Sequence, residues 1–144
     1  MIILMINMKY LLLLAVVLVV AVSCAKIFTK GNKQTMTMDT YSNVGVDEFQ
    51  TYIADPTVQL LDVRALDEFE DGHIAGASLV DVNDTAFVEN AMAILDKQRP
   101  VAVYCRSGRR SARAASLLAG QGMKVTNLNG GIIAWQDAGK ALVK

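Results

Sequence analysis

From about residue 41 onward, short, mainly apolar runs suited to strands alternate with segments of helical spacing. This alternation narrows the fold more than any other feature of the chain. Val46, Phe49, Tyr52 and Ile53 fall on one face of a helix over 46–54 that stops near Asp55-Pro56. Residues 58–63 and 77–80 are short apolar runs of the kind found in buried strands, and helical spacing over 87–95 ends before Arg99-Pro100. Val101-Ala102-Val103-Tyr104 is the clearest strand, β-branched and uncharged. An Ala- and Leu-rich helix over 111–119 is closed by Gly120 and Gly122, and a strand over 125–128 and a helix over 132–138 complete the series. The pattern predicts an α/β fold with a parallel central sheet and helices on both faces. In such sheets ligands sit at the carboxyl ends of the strands, and Cys105 directly follows the clearest one.

The N-terminus is a different kind of sequence. Lys9 is followed by an apolar run from Tyr10 to Val22, shorter than the roughly 20 residues of a membrane span, and then by Ser23-Cys24. That order is the pattern of a secretory signal over 1–23. Ala21-Val22-Ser23-Cys24 resembles a bacterial lipobox, which implies cleavage before Cys24 and lipidation of that cysteine. An uncleaved N-terminal anchor is the alternative. Either way the expected location is the bacterial cell envelope, facing the periplasm and held to a membrane. Residues 24–40, polar and without apolar periodicity, read as the lipidated Cys followed by a tether, which leaves 41–144 as one domain.

Of the 14 Lys and Arg and 14 Asp and Glu, only Lys9 lies within 1–23, so the rest of the chain carries about one net negative charge. That balance gives no reason to expect a nucleic-acid partner. The charge is uneven, however: Arg106, Arg109, Arg110 and Arg113 fall within eight residues, the signature of a local anion site. The two cysteines, Cys24 and Cys105, form no CxxC, and one His cannot complete a zinc site with them. Neither a metal nor a cofactor is expected.

The segment Cys105-Arg106-Ser107-Gly108-Arg109-Arg110-Ser111 joins the clearest strand to a helix. A Cys there meets unpaired backbone N–H groups and the positive end of the helix dipole. The arginines act in the same direction, favouring the nucleophilic thiolate. Gly108 permits a turn that directs N–H groups inward as an anion cradle, and Ser111 is suited to cap the helix that follows. A buried, inert cysteine is the alternative, and four surrounding arginines speak against a purely apolar site.

VYCRSGRRS resembles the active-site loop of rhodanese domains. LLDVRALDEFEDGHIAGA (60–77) and NLNGGIIAW (127–135) resemble that family's N-terminal and C-terminal signatures, in the family's order. Ala75 stands where the family often has Pro. The resemblance spans about 41–140 and implies a rhodanese-like fold and a sulfurtransferase. A Cys105 persulfide would carry sulfane sulfur from thiosulfate or a related anion to cyanide, a small thiol or a partner's thiol. A related phosphatase family follows a Cys-x5-Arg pattern, which would need Arg where Ser111 stands, and the loop of six residues suits sulfur better than phosphate.

The same resemblance assigns roles around the loop. Arg106 and Arg109 are expected to face outward toward the anionic donor, with plain surface charge the alternative for Arg109, and Arg110 to brace the loop. From the residues alone, Asp62 and Arg64 follow a strand and are placed to face the site: Asp62 reads equally as a hydrogen-bond acceptor near the loop or as purely structural, and Arg64 as the partner of Glu68 in an ion pair that fixes the chain after the strand. His73 is expected to be structural, Trp135 to belong to the core, and Gly130 and Gly131 to form a tight turn. Two rival functions remain: a rhodanese-like module that only binds, which would usually lack the Cys, and a thiol redox protein, which would need a resolving Cys.

Overall fold

The computed structural model describes residues 40–144. The signal sequence expected over 1–23, the lipidation site Cys24, and the tether up to residue 39 lie outside the described residues. The strands are β1 (Ser42–Val44), β2 (Gln59–Asp62), β3 (Ser78–Leu79), β4 (Val101–Tyr104) and β5 (Val125–Leu128). They form one sheet in the order β1-β5-β4-β2-β3, and every pairing is parallel. The helices are α1 (Val46–Ile53), α2 (Leu66–Asp71), α3 (Phe87–Ile94), α4 (Arg109–Ala119) and α5 (Gly131–Asp137).

Side chains alternate across a strand, and the sheet separates them into two cores. Val101 and Val103 of β4, with Cys105 beyond them, join Leu61, Phe87, Ala115 and Leu118 on the face covered by α3 and α4. Ala102 and Tyr104 join Phe49, Leu60, Ile132 and Trp135 on the face covered by α1 and α5. Both faces of β4 are therefore dry, which explains why that strand reads as a continuous apolar run. Burying each large side chain contributes about 1.5–3 kcal/mol. Trp135 is core, as expected: its ring meets Phe49 edge-on at 6.4 Å, and its indole N–H donates to Ala141 O at 3.0 Å.

Two elements escape the spacing argument. β1 is a three-residue edge strand with two exposed positions, and α2 (LDEFED) buries no residue, so neither carries a readable apolar stripe. The start of α4 also differs from expectation. It begins at Arg109 rather than Ser111, because Gly108, at φ 93°, turns the chain into the helix two residues early. His73 is structural, as expected. It exchanges both backbone hydrogen bonds with Val143, at 2.9 Å each, and its ring stacks on Phe69 at 3.7 Å. The end of β2 lies beside that of β4, Asp62 level with Tyr104, so Asp62 and Cys105 share one edge of the sheet.

Candidate active site

Cys105 leaves β4 fully buried. The Gly108 N–H donates to its Sγ at 3.2 Å, and the Ser111 Oγ lies 3.3 Å from Sγ and 3.2 Å from Gly108 O. One hydroxyl proton cannot serve both acceptors. With a thiol present it goes to Gly108 O and the hydroxyl oxygen accepts the S–H; with a thiolate it turns to the sulfur. Ser111 is thus not the helix cap. It is the third residue of α4, and the cap position is Gly108, which has no side chain to offer. The first hydrogen bond within α4 runs from Ala112 N–H to Gly108 O at 3.0 Å. The N–H groups of Arg109 to Ser111 therefore precede the helix ladder and give the loop the positive end of the dipole.

A second helix holds the loop from outside. The Ile132 and Ile133 N–H groups at the start of α5 donate to Cys105 O at 2.9 Å and Arg106 O at 3.2 Å. These carbonyls are drawn outward, and the Gly108 amide is directed at the sulfur. Close approach demands glycine: a Cβ on Gly131 would fall 2.5 Å from Cys105 O and 2.6 Å from Arg106 C. Gly130 and Gly131, at φ 77° and 61°, do form the expected tight turn. Their contact with the loop, more than 20 residues away in the chain, has no sequence signal beyond the Gly-Gly pair itself.

The charged residues pair differently from the expectation. Arg64 does not pair with Glu68. It folds back on buried Asp62, which accepts from Arg64 N and Nε at 3.0 Å and from Nη2 at 2.6 Å. Two residues of separation let Asp62 reach both the backbone and the guanidinium of Arg64 before Glu68 comes within range. The Arg64 Nη2 also donates to Gly72 O at 2.8 Å, and the guanidinium lies 5.7 Å from the Tyr104 ring. Burial pulls the Arg64 pKa down, but the Asp62 hydrogen bonds and charge outweigh it and leave the pKa raised. Burial, reinforced by the Asp62 charge, pushes the Tyr104 phenol pKa up.

Glu68 instead grips Arg110 through both oxygens, at 2.6 and 2.7 Å, and accepts the Ala65 N–H at 3.2 Å. The Arg110 hydrogen bonds hold the Glu68 carboxyl at about 2, against 4.5. Arg110 is raised in turn, by Glu68 first and in smaller part by Cys105. Arg110, at the start of α4, is thus tied to α2 through an acidic partner 42 residues away. Arg106, Ser107 and Arg109 are exposed around the loop, as is Arg113, whose Nη2 donates to Val82 O at 3.0 Å. A cavity of about 400 Å³ is lined by Ser107, Arg109, Arg110 and Arg113. A second, of about 300 Å³, lies between Arg64, Glu68, Arg106 and Ile133.

Comparison with known proteins bears on this geometry. The profile of the family described as "Rhodanese-like domain" matches residues 45–138. Among curated proteins, thiosulfate sulfurtransferase GlpE of Shewanella oneidensis is 34% identical over 103 residues, covering 70% of this chain and 98% of its own. Thiosulfate sulfurtransferase 18 of Arabidopsis thaliana is 36% identical over 91 residues, covering 55% of this chain and 67% of its own. Among solved structures, a rhodanese-related protein from Thermoplasma volcanium superposes with a TM-score of 0.63 at 27% identity, covering 72% of this chain and 98% of its own. A rhodanese-like domain from Anabaena gives 0.64 at 28%, covering 72% and 80%.

Proposed function

The chain belongs to the rhodanese-like family, and on that footing we propose that it is a sulfurtransferase that carries sulfane sulfur on Cys105. The observation that supports this best is the sulfur's setting. The Gly108 N–H and the Ser111 hydroxyl both reach Sγ, at the start of an 11-residue helix, beneath outward-facing Arg106 and Arg109. Each of these groups stabilises negative charge on sulfur.

The Cys105 thiolate attacks the outer sulfur of thiosulfate or a related donor. The S–S bond of the donor breaks, its electron pair leaves with sulfite, and Cys105 holds a persulfide anion. The new S–S bond, about 2 Å long, carries the outer sulfur away from the Cys105 Cβ. The Gly108 N–H and the first-turn N–H groups of α4 stabilise the anion as an oxyanion hole would. A thiophilic acceptor, cyanide or a thiol, then attacks the outer sulfur, and the electron pair of the Cys105 S–S bond returns to Sγ. Attack by a thiolate needs no general base. Lipidation of Cys24 would hold this chemistry at a membrane in the bacterial envelope, facing the periplasm.

The test is thiosulfate-dependent formation of thiocyanate by the full chain in mild detergent, with Cys105→Ala beside it. Turnover by the parent and none by the variant is the expected result. A folded parent that forms no thiocyanate and takes up no sulfur from thiosulfate or polysulfide would favour the binding-only reading.

A further inference from the structure

Resting on the sulfurtransferase reading, we propose that the cavity beside the active loop selects a sulfur acceptor that carries carboxylates next to its thiol. The cavity, about 400 Å³ and lined by Ser107, Arg109, Arg110 and Arg113, has the volume of a site for a small organic molecule. A single tetrahedral anion such as thiosulfate fills only a fraction of it.

The charges lining the cavity are unequal. Arg110 donates from Nη1 and Nη2 to Glu68 and is largely neutralised. Arg113 spends one Nη2 N–H on the Val82 carbonyl, which fixes its guanidinium without cancelling the charge. Among the described residues, neither Arg109 nor Arg113 has a carboxylate within 4.0 Å. The two stand four residues apart on α4, so they lie on one face of the helix, a turn apart. Two unneutralised guanidiniums at that spacing suit two carboxylates better than one, because each offers a planar pair of donors. Ser107, in the loop that holds the reacting sulfur, also lines the cavity and adds a neutral polar group.

The ligand of such a site has to bring a thiolate to the persulfide, so charge complementarity picks a thiol whose anionic groups lie a few bonds from its sulfur. The acceptor thiolate forms a bond to the outer sulfur, the bond between that sulfur and Cys105 breaks, and its electron pair returns to Cys105. A carboxylated persulfide departs and the total charge is unchanged.

The experiment uses the full chain, loaded with sulfur, freed of donor and mixed with an acceptor. The probes are mercaptosuccinate, with two carboxylates, and 2-mercaptoethanol, with none. The parent is expected to prefer mercaptosuccinate in kcat/KM, mainly through KM, and to lose that preference at about 0.5 M salt. Arg113→Gln is expected to shrink the preference roughly five- to tenfold, the size of a lost charge-assisted contact, and Arg113→Lys to restore part of it. Equal losses for the two thiols, or a preference indifferent to salt and to Arg113→Gln, would overturn the proposal. A cyanide arm separates the two readings: if cyanide also fails to remove sulfur, or none was loaded, the sulfurtransferase reading itself has failed.

Discussion

The sulfur of Cys105 is served by one backbone amide and one hydroxyl, and both bear on a single atom. Ser111→Ala removes the hydroxyl while leaving the helix intact, since Ala is a better helix former than Ser. We expect persulfide formation to slow roughly three- to tenfold, read by mass spectrometry on a folded protein. Glu68 matters through Arg110. Glu68→Gln removes a bidentate ion pair whose side chains are 28% and 26% exposed, and stability at pH 7 should fall by on the order of 1–2 kcal/mol after solvent screening. The pH dependence has a definite sign. The folded-state pKa is depressed from 4.5 to about 2, so this contribution is fully present above pH 4.5 and is lost as the pH falls toward 2. Urea unfolding of the parent should therefore weaken between those values, and that part of the slope should be missing in the variant. Equal slopes in the two proteins would contradict the role given to Glu68.

At the scale of elements, the loop is clamped between α4, which begins inside it, and α5, which takes its carbonyls. Gly131 is the point of contact. Gly122 has a similar left-handed φ of 83° but open space where a Cβ would go. Gly122→Ala should therefore cost about 1 kcal/mol from backbone strain alone. Gly131→Ala adds a collision with the Cys105 and Arg106 backbone and should cost on the order of 3 kcal/mol or more, with sulfur loading lost even where the fold survives. Similar unfolding midpoints for the two variants would contradict the clamp. The contrast also shows what was legible in the sequence. β4 and the helix after the Cys loop could be read, because a β-branched run and an Ala-rich stripe have periods of their own. β1 and α2 could not, since their positions are held by pairing and by single polar contacts. The sequence offers Asp62 as an acceptor but points Arg64 at Glu68, because ion pairs depend on where a chain turns rather than on spacing along it. Ser111 looks like a cap in the sequence for a related reason: nothing in the residues after Cys105 says that Gly108 will start the helix early.

For the whole molecule, the sheet brings the ends of β2 and β4 to one edge, and the reactive loop, its brace on α2 and its clasp on α5 all converge there. The C-terminal segment closes the domain through the His73–Val143 bridge and the Trp135–Ala141 hydrogen bond. Lipidation at Cys24 would tether the domain to a membrane. Cys24→Ala is then expected to move the protein from the membrane fraction to the soluble fraction of cells, with unchanged sulfur loading in the purified chain. Retention in the membrane would favour an uncleaved N-terminal anchor. The central claim, that Cys105 carries sulfur, is tested most directly by the intact mass of the full chain after exposure to thiosulfate and removal of excess donor. The account predicts a gain of one sulfur, localised to the peptide containing Cys105, reversed by cyanide and absent in Cys105→Ala. A folded parent whose mass does not change, or a gain that persists in Cys105→Ala, would contradict it.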